Sequence, residues 1–173
     1  MDIKIIECAL KDYKKKKSVV ETTLERIEVF KKAINKPDEF RGLFLGSNKE
    51  LGMPTGKGGR IDSEVERITL TKEQGRELIK IWTEDDKSRI YPYQIELEQI
   101  DGAMKALNSQ ERYIIECKYF ECMFWGDIEI SFNDKFRQRN YITVSGIRKM
   151  NVEALELLIK ILEPYYNRFK IKK

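Results

Sequence analysis

Apolar residues recur at spacings of three and four along most of this 173-residue chain, and that spacing restricts the fold more than any other feature. Hydrophobic residues make up 41% of the chain and charged residues 36%, a balance that suits amphipathic helices with narrow apolar stripes. The N-terminal half shows no alternation of apolar and polar residues of the kind that marks strands. We therefore predict an all-α protein.

Residues 1–38 are predicted to form an N-terminal helical hairpin. The first helix carries its apolar face on Ile3, Ile6, Leu10 and Tyr13, and the second on Val20, Leu24, Ile27, Phe30 and Ile34. Pro37 then stops the second helix. The run Lys14–Lys17 falls between the two helices, where lysines favour the C-terminal end of a helix dipole; contact with a nucleic acid is the alternative interpretation.

Residues 39–70 are predicted to be a Gly-rich flexible loop. The pair Gly56-Lys57 suggests a phosphate cradle, but a P-loop needs a Ser or Thr after the Lys, and Gly58 stands there. A mobile linker that can touch DNA through Lys57 and Arg60 is therefore favoured over a nucleotide site.

Residues 71–102 are predicted to form a middle helix with a kink near Pro92. Thr71 and Gln74 have the form of a capping box that would start it. Its predicted apolar face includes Leu78, Ile81 and Trp82, and beyond Pro92 a seam continues on Tyr93, Leu97, Ile100, Met104 and Leu107. Two heptads are few for an intermolecular coiled coil, so packing of this seam onto the N-terminal hairpin is favoured.

Residues 103–173 are predicted to form a helix-turn-helix DNA-binding domain. Ser109 can cap its first helix, and the apolar positions of a second, short helix are Trp125, Ile128, Phe132 and Phe136. A third helix follows Thr143, and its predicted buried positions are Ile147, Met150, Ala154, Leu158 and Leu162.

The C-terminal part of the chain is basic. From Ser131 onward, ten Lys and Arg stand against four Asp and Glu, a net charge of +6 compared with +4 for the whole chain. That asymmetry fits a phosphate-binding surface or a solvated tail.

The outer face of the third helix has the residue types that read bases in a major groove. Small side chains permit close approach, Arg or Lys can bind guanine, and Asn can pair with adenine. The predicted base-reading residues are Val144, Ser145, Arg148, Lys149 and Asn151. The predicted phosphate contacts are Lys135, Arg137, Arg139 and Thr143. A packing helix whose outer cations are only solvated is the alternative.

Two runs carry a family resemblance: "ALNSQERYIIECKYFECMFWGDI" and "YITVSGIRKMNVEALELL". They resemble region 4 of the sigma-70 family in an opening close to Leu-Ser-x-x-Glu-Arg, which reads Leu-Asn-Ser-Gln-Glu-Arg here, in the Trp and Ile of the first motif helix and in the pattern of the recognition helix. With the hairpin, Gly-rich loop and middle helix, the whole chain is similar to phage late-gene regulators of the ArpU and RinA type. The resemblance implies an activator that acts on promoter DNA and contacts host RNA polymerase. It implies DNA-facing positions at Val144, Ser145, Gly146, Arg148 and Lys149.

An enzyme is not expected, and neither a metal nor another cofactor is. The chain has no histidine for acid-base or metal chemistry. Its three cysteines, Cys8, Cys117 and Cys122, lack the spacing of a zinc or redox site and are interpreted as reduced thiols. No apolar run is long enough to span a bilayer, and no signal peptide is recognised, which predicts a soluble cytoplasmic protein without membrane contact.

Two other functions stay open at this point. One is a phage DNA-packaging adaptor of the small-terminase kind, which would form a ring; the other is a protein-interaction module that binds polymerase without DNA. The sequence also leaves open whether the chain is a homo-oligomer, which DNA sequence it prefers, and whether it activates or represses.

Overall fold

A computed structural model describes residues 2–36, 64–136 and 141–170, without the side chains of residues 64–72 and 169–170. In these ranges the chain is helical and has no strand, which confirms the all-α prediction. The helices are α1 (Ile3–Asn35), α2 (Glu64–Met104), α3 (Ser109–Ile115), α4 (Trp125–Phe136) and α5 (Val144–Lys170). α3 continues into one π-helical turn, Glu116–Phe120. None of the helices in the described ranges is long and apolar enough to cross a membrane.

α1 is one continuous helix of 33 residues, so the predicted hairpin within residues 1–38 is wrong. No Gly or Pro interrupts the chain between Lys14 and Val20, and lysine is a good helix former. Val20 follows Tyr13 by seven residues, which is about two helical turns, so the two predicted stripes lie in phase on one helix. Two of the predicted apolar positions, Ile3 and Leu24, are exposed. Because the helix does not end near Lys17, the lysine run is not a C-terminal cap.

α2 begins at Glu64, so the predicted start at Thr71 and the predicted loop boundary at residue 70 are both wrong. The helix also continues through Pro92 to Met104. A proline in a helix removes one backbone donor, and the helix nevertheless buries Ile90 before Pro92 and Leu97 after it. The rest of the predicted Gly-rich loop, with Lys57 and Arg60, lies outside the described residues.

Contacts divide the chain into two compact units, and the smaller one comprises residues 20–91. Its apolar core includes Ile79 and Ala33, which are fully buried and packed with Phe30 and Ile34. The predicted apolar face of α2 is wrong, because Leu78, Ile81 and Trp82 are 49%, 56% and 44% exposed. The residues that α2 buries here are Gly75, Ile79, Thr83, Asp86 and Ile90.

Two of those buried residues of α2 are polar and have partners within the helices. The Thr83 hydroxyl donates to the Ile79 carbonyl at 2.8 Å, and the Asp86 carboxylate accepts two hydrogen bonds from the Arg26 guanidinium at 2.6 and 2.8 Å. A buried carboxylate is tolerated when it is paired in this way. Because several residues of this buried face are small or polar, the pattern of apolar residues does not reveal it. Apolar periodicity therefore predicts the wrong face of α2.

The larger unit comprises residues 1–19 and 92–173. Its largest fully buried side chains come from every helix: Ile6, Leu10, Ile100, Ile114, Ile115, Ile128, Phe132, Ile147, Leu155, Leu158 and Leu162. Of the seam predicted after Pro92, Tyr93 is exposed, and the other four residues are buried: Leu97, Ile100, Met104 and Leu107. The Tyr13 hydroxyl of α1 donates to Asp101 of α2 at 2.7 Å. The seam therefore packs within this chain, although against a single helix rather than a hairpin.

Candidate nucleic-acid interface

The last three helices share one apolar core. Its buried members are Ile114, Cys117, Ile128, Phe132 and Ile147, with Tyr113, Met123, Trp125, Phe136, Ile142 and Met150 packed around them. Burial raises the pKa of the Cys117 thiol, so this cysteine stays protonated and serves as a small apolar side chain. The core fixes α3, α4 and the start of α5 to one another.

α3 begins with a capping box, but its cap residue is Asn108 and not the predicted Ser109. The Asn108 side chain accepts hydrogen bonds from the amides of Gln110 and Glu111 at 3.0 and 2.9 Å. In return, the Glu111 carboxylate accepts the Asn108 amide at 3.0 Å. This reciprocal pair satisfies three backbone donors at the start of the helix.

The guanidinium of Arg112 ties the start of α3 to the end of α2. It donates to the carbonyl oxygen of Met104 at 3.0 Å and to that of Leu107 at 3.5 Å. These carbonyls belong to the last turn of α2 and to the connection after it, where intrahelical donors run out. The connection between α2 and α3 is thereby closed by a side chain.

The connection from α4 to α5 is held by an asparagine that imitates a backbone partner. The Ile142 amide donates to Asn133 Oδ1 at 2.8 Å, and Asn133 Nδ2 donates to the Ile142 carbonyl at 2.8 Å. The same Nδ2 donates to the Glu129 carbonyl at 2.8 Å. One turn earlier in α4, the Glu129 carboxylate accepts the Val144 amide at 3.1 Å and so caps α5. Two α4 side chains thus set where α5 begins.

Three of the predicted base-reading residues form an exposed group on the first two turns of α5. Ser145, Arg148 and Lys149 are all exposed, and Thr143, which directly precedes the helix, is exposed as well. Val144 is half-buried. Gly146 is half-buried too, and a Cβ atom there would lie 2.9 Å from the Cγ2 methyl of Ile142. Glycine at this position therefore serves the packing of α5 against the preceding connection.

Asn151 does not point outward, so its prediction as a base-reading residue is wrong. It is only 5% exposed, and its Nδ2 donates to the hydroxyl of Tyr119 at 3.2 Å. The reason lies in the spacing: residue 151 follows Ile147 by four and precedes Ala154 by three, which puts it on the buried stripe. Among the described residues, no partner donates a hydrogen bond to its Oδ1 atom.

The Tyr119 hydroxyl in turn donates to Glu7 of α1 at 2.9 Å. Burial raises the pKa of Tyr119 to about 12, and the Glu7 carboxylate adds to the rise. A chain of two hydrogen bonds therefore links α1 to α5 through the π-helical turn. Sequence reasoning missed this chain because its members lie far apart in the sequence.

The predicted phosphate contacts are only partly described. Lys135 is exposed, and its Nζ lies 4.0 Å from the ring centroid of Tyr113, a cation–π contact that keeps its charge available. Arg137 and Arg139 lie outside the described residues. Nothing in the described contacts joins Lys135 to the exposed group on α5.

Trp125, the first residue of α4, has two cations near its ring. Lys118 Nζ lies 4.7 Å from the ring centroid, and Arg148 Cζ lies 5.5 Å from it. The sequence predicts that Trp125 is a buried residue of the core, but its side chain is only half-buried. Its position one turn before Ile128 carries no sequence signal for a contact with Arg148, which is 23 residues away.

The charge of α5 changes sign along the helix. Arg148 and Lys149 lie in its first two turns, whereas the exposed Glu153 and Glu156 follow in the next two. An anionic ligand would therefore be attracted to the first two turns of α5 and repelled by the two turns that follow. In the described part of the chain, no cluster of three or more His, Cys, Asp or Glu residues could hold a metal ion.

Comparison with models of known protein families, with curated proteins and with solved structures gives no match to this chain.

Proposed function

We propose that this chain is a sequence-specific regulator of transcription that binds double-stranded DNA and places the first two turns of α5 in the major groove. The observation that carries the proposal is the exposed group Ser145, Arg148 and Lys149 on a helix whose other face lies in the core. The major groove is about 12 Å wide and admits an α-helix that presents such residues.

The side chains of this group have distinct chemistry for such a contact. Arg148 can donate two parallel hydrogen bonds to guanine O6 and N7, and Lys149 can bind the same atoms or a phosphate. Ser145 is small enough to let the helix backbone approach the base edges. The exposed Glu153 marks the end of the proposed contact, because a carboxylate would be repelled by the DNA backbone.

The kind of regulator is proposed from the sequence resemblance. Residues 103–162 resemble region 4 of sigma-70 factors, and the chain as a whole is similar to phage late-gene regulators. On that basis we propose an activator of phage late genes that acts together with host RNA polymerase. Transcription from a selected promoter fragment, with and without this protein, would test the activating role.

DNA binding itself is tested by selecting bound duplexes from a random pool and measuring affinity for the selected and for unrelated duplexes. Arg148→Ala should cost about 1 to 3 kcal/mol on the selected duplex and much less on an unrelated one. Arg168→Ala is the matched control, because Arg168 is an exposed arginine near the other end of α5. Equal losses in the two variants would mean that only net charge matters, which contradicts base reading by Arg148.

Salt dependence tests the contact with phosphates. Each neutralised phosphate adds about 0.9 to the slope of log affinity against log salt concentration. Lys135→Gln should lower this slope and weaken binding to selected and unrelated duplexes alike. An affinity of the unmodified chain that does not change with salt would contradict the proposed DNA contact altogether.

A further inference from the structure

The cation–π cluster at the start of α4 joins three elements of the candidate interface. Lys118 comes from the π-helical turn, Trp125 from α4 and Arg148 from α5. Lys118 also donates from Nζ to the Met123 carbonyl at 3.2 Å, which fixes it beside the ring. The indole thus lies beside the second turn of α5, which carries Arg148.

The way in which the ring holds Arg148 matters for a residue that is to bind DNA. A carboxylate partner would neutralise the guanidinium and occupy its N–H donors. An aromatic ring attracts the cation through its quadrupole and leaves both the charge and the donors available. Among the residues that the structure describes, no carboxylate forms an ion pair with Arg148 or Lys118.

Restricting the arginine has a direct effect on binding. A free arginine side chain loses rotamer freedom when it is immobilised, and that loss opposes binding. An arginine that already lies against an indole loses less of that freedom when it engages a base. The expected effect is larger on the selected duplex than on an unrelated one, because only the former requires a fixed guanidinium geometry.

We infer that Trp125 is a positioning residue, which holds the Arg148 guanidinium over its ring in the orientation used to read a guanine. The inference rests on the proposed DNA-binding function and adds a determinant of specificity that does not itself touch the bases. Lys118 shares the ring and contributes positive charge beside the same site.

The first experiment tests the geometry without DNA. The chain has two tryptophans, and Trp82→Phe leaves Trp125 as the sole tryptophan, whose emission is measured with excitation at the red edge of the indole band, where tyrosine does not absorb. In that background, Arg148→Gln and Lys118→Gln should each change the fluorescence emission of Trp125, because each removes a charge close to the indole. Arg168→Gln should leave the emission unchanged. An Arg148→Gln spectrum identical to that of the Trp82→Phe parent would overturn the inference.

The second experiment tests the consequence for DNA. Trp125→Leu keeps an apolar side chain but removes the ring, and Trp125→Phe keeps a ring. The ratio of affinities for selected and unrelated duplexes should fall about two- to fivefold in Trp125→Leu, which corresponds to about 0.4 to 1 kcal/mol. Trp125→Phe should retain most of the ratio. Thermal unfolding of both variants establishes that folded protein is compared.

A double-mutant cycle separates positioning from a general effect on folding. In an Arg148→Ala background, Trp125→Leu should not change the affinity ratio further, because the residue that it positions is gone. An equal ratio in Trp125→Leu and Trp125→Phe, or an additive cycle, would overturn the inference while the DNA-binding proposal stands. Failure of the unmodified chain to bind any duplex would overturn both, even where the fluorescence result supports the contact.

Discussion

Replacement of Asn133 by alanine should destabilise the larger unit by about 2 to 3 kcal/mol. The asparagine makes two 2.8 Å hydrogen bonds with the backbone of Ile142 and a third, also 2.8 Å, with the Glu129 carbonyl. Each such bond contributes about 1 kcal/mol net, and the cost rises where a part-buried amide is left unpaired. The better helix propensity of alanine returns a few tenths of a kcal/mol. Urea unfolding followed by circular dichroism measures the difference.

Asn133→Asp sharpens the same prediction. The aspartate can still accept the Ile142 amide, but its carboxylate then faces two carbonyl oxygens that the Asn133 amide group now contacts. At neutral pH, Asn133→Asp should lower the free energy of unfolding by at least as much as the alanine variant. The amide donor is lost in both, and the aspartate adds charge repulsion from the two carbonyl oxygens. Asn167→Ala, an exposed asparagine in α5, is the control and should stay within about 0.5 kcal/mol of the unmodified chain. A similarly small effect of Asn133→Ala would refute the role assigned to this side chain.

Gly146→Ala should not stabilise the fold, because the added Cβ would lie 2.9 Å from the Ile142 methyl. Gly102→Ala should stabilise it by about 0.5 to 1 kcal/mol, because a Cβ there has no neighbouring atom within 4 Å. Equal gains of the two variants in thermal unfolding would contradict the close contact at Gly146. Tyr119→Phe should lose about 1 to 3 kcal/mol near neutral pH, because the buried Asn151 amide is left without its partner. The folded-state pKa of Tyr119, about 12, lies above the ordinary 10.0. The unfolded chain therefore loses this proton first, and stability falls as the pH rises from 10 to 12. Urea unfolding at about pH 8 and about pH 11 should show that the difference in free energy of unfolding between the unmodified chain and Tyr119→Phe is smaller at the higher pH. A constant difference would contradict the assigned pKa.

The C-terminal helices could be predicted from local sequence signals. α4 spans Trp125–Phe136, matching the predicted apolar positions, and α5 begins directly after Thr143 as expected. Both helices are strongly amphipathic and bury one side in a common core, so periodicity and burial agree. The exposed positions Arg148 and Lys149 follow from the same periodicity.

The N-terminal architecture and one site residue could not be predicted by the same reasoning. The change in composition at Lys14–Lys17 suggests a helix end, but a true end needs a breaker or a cap, and neither is present. The polar side chain of Asn151 suggests an outward position, but its spacing from Ile147 puts it inside. In both cases helical phase, and not residue type, decides the outcome. The contact between Trp125 and Arg148 depends on tertiary packing and has no local signal.

The exposed start of α5 combines accessibility with a fixed backbone. The Val144 amide is held by Glu129, the preceding Ile142 is held by Asn133, and Ile147 is fully buried one turn into the helix. These restraints act on the backbone and the inner face, so they leave the outer side chains accessible to a ligand. A helix end that is already ordered loses little conformational entropy on binding, and this lowers the cost of association. Under the proposed function, the free and DNA-bound forms of α5 should therefore share one backbone conformation, with side-chain adjustment as the main change.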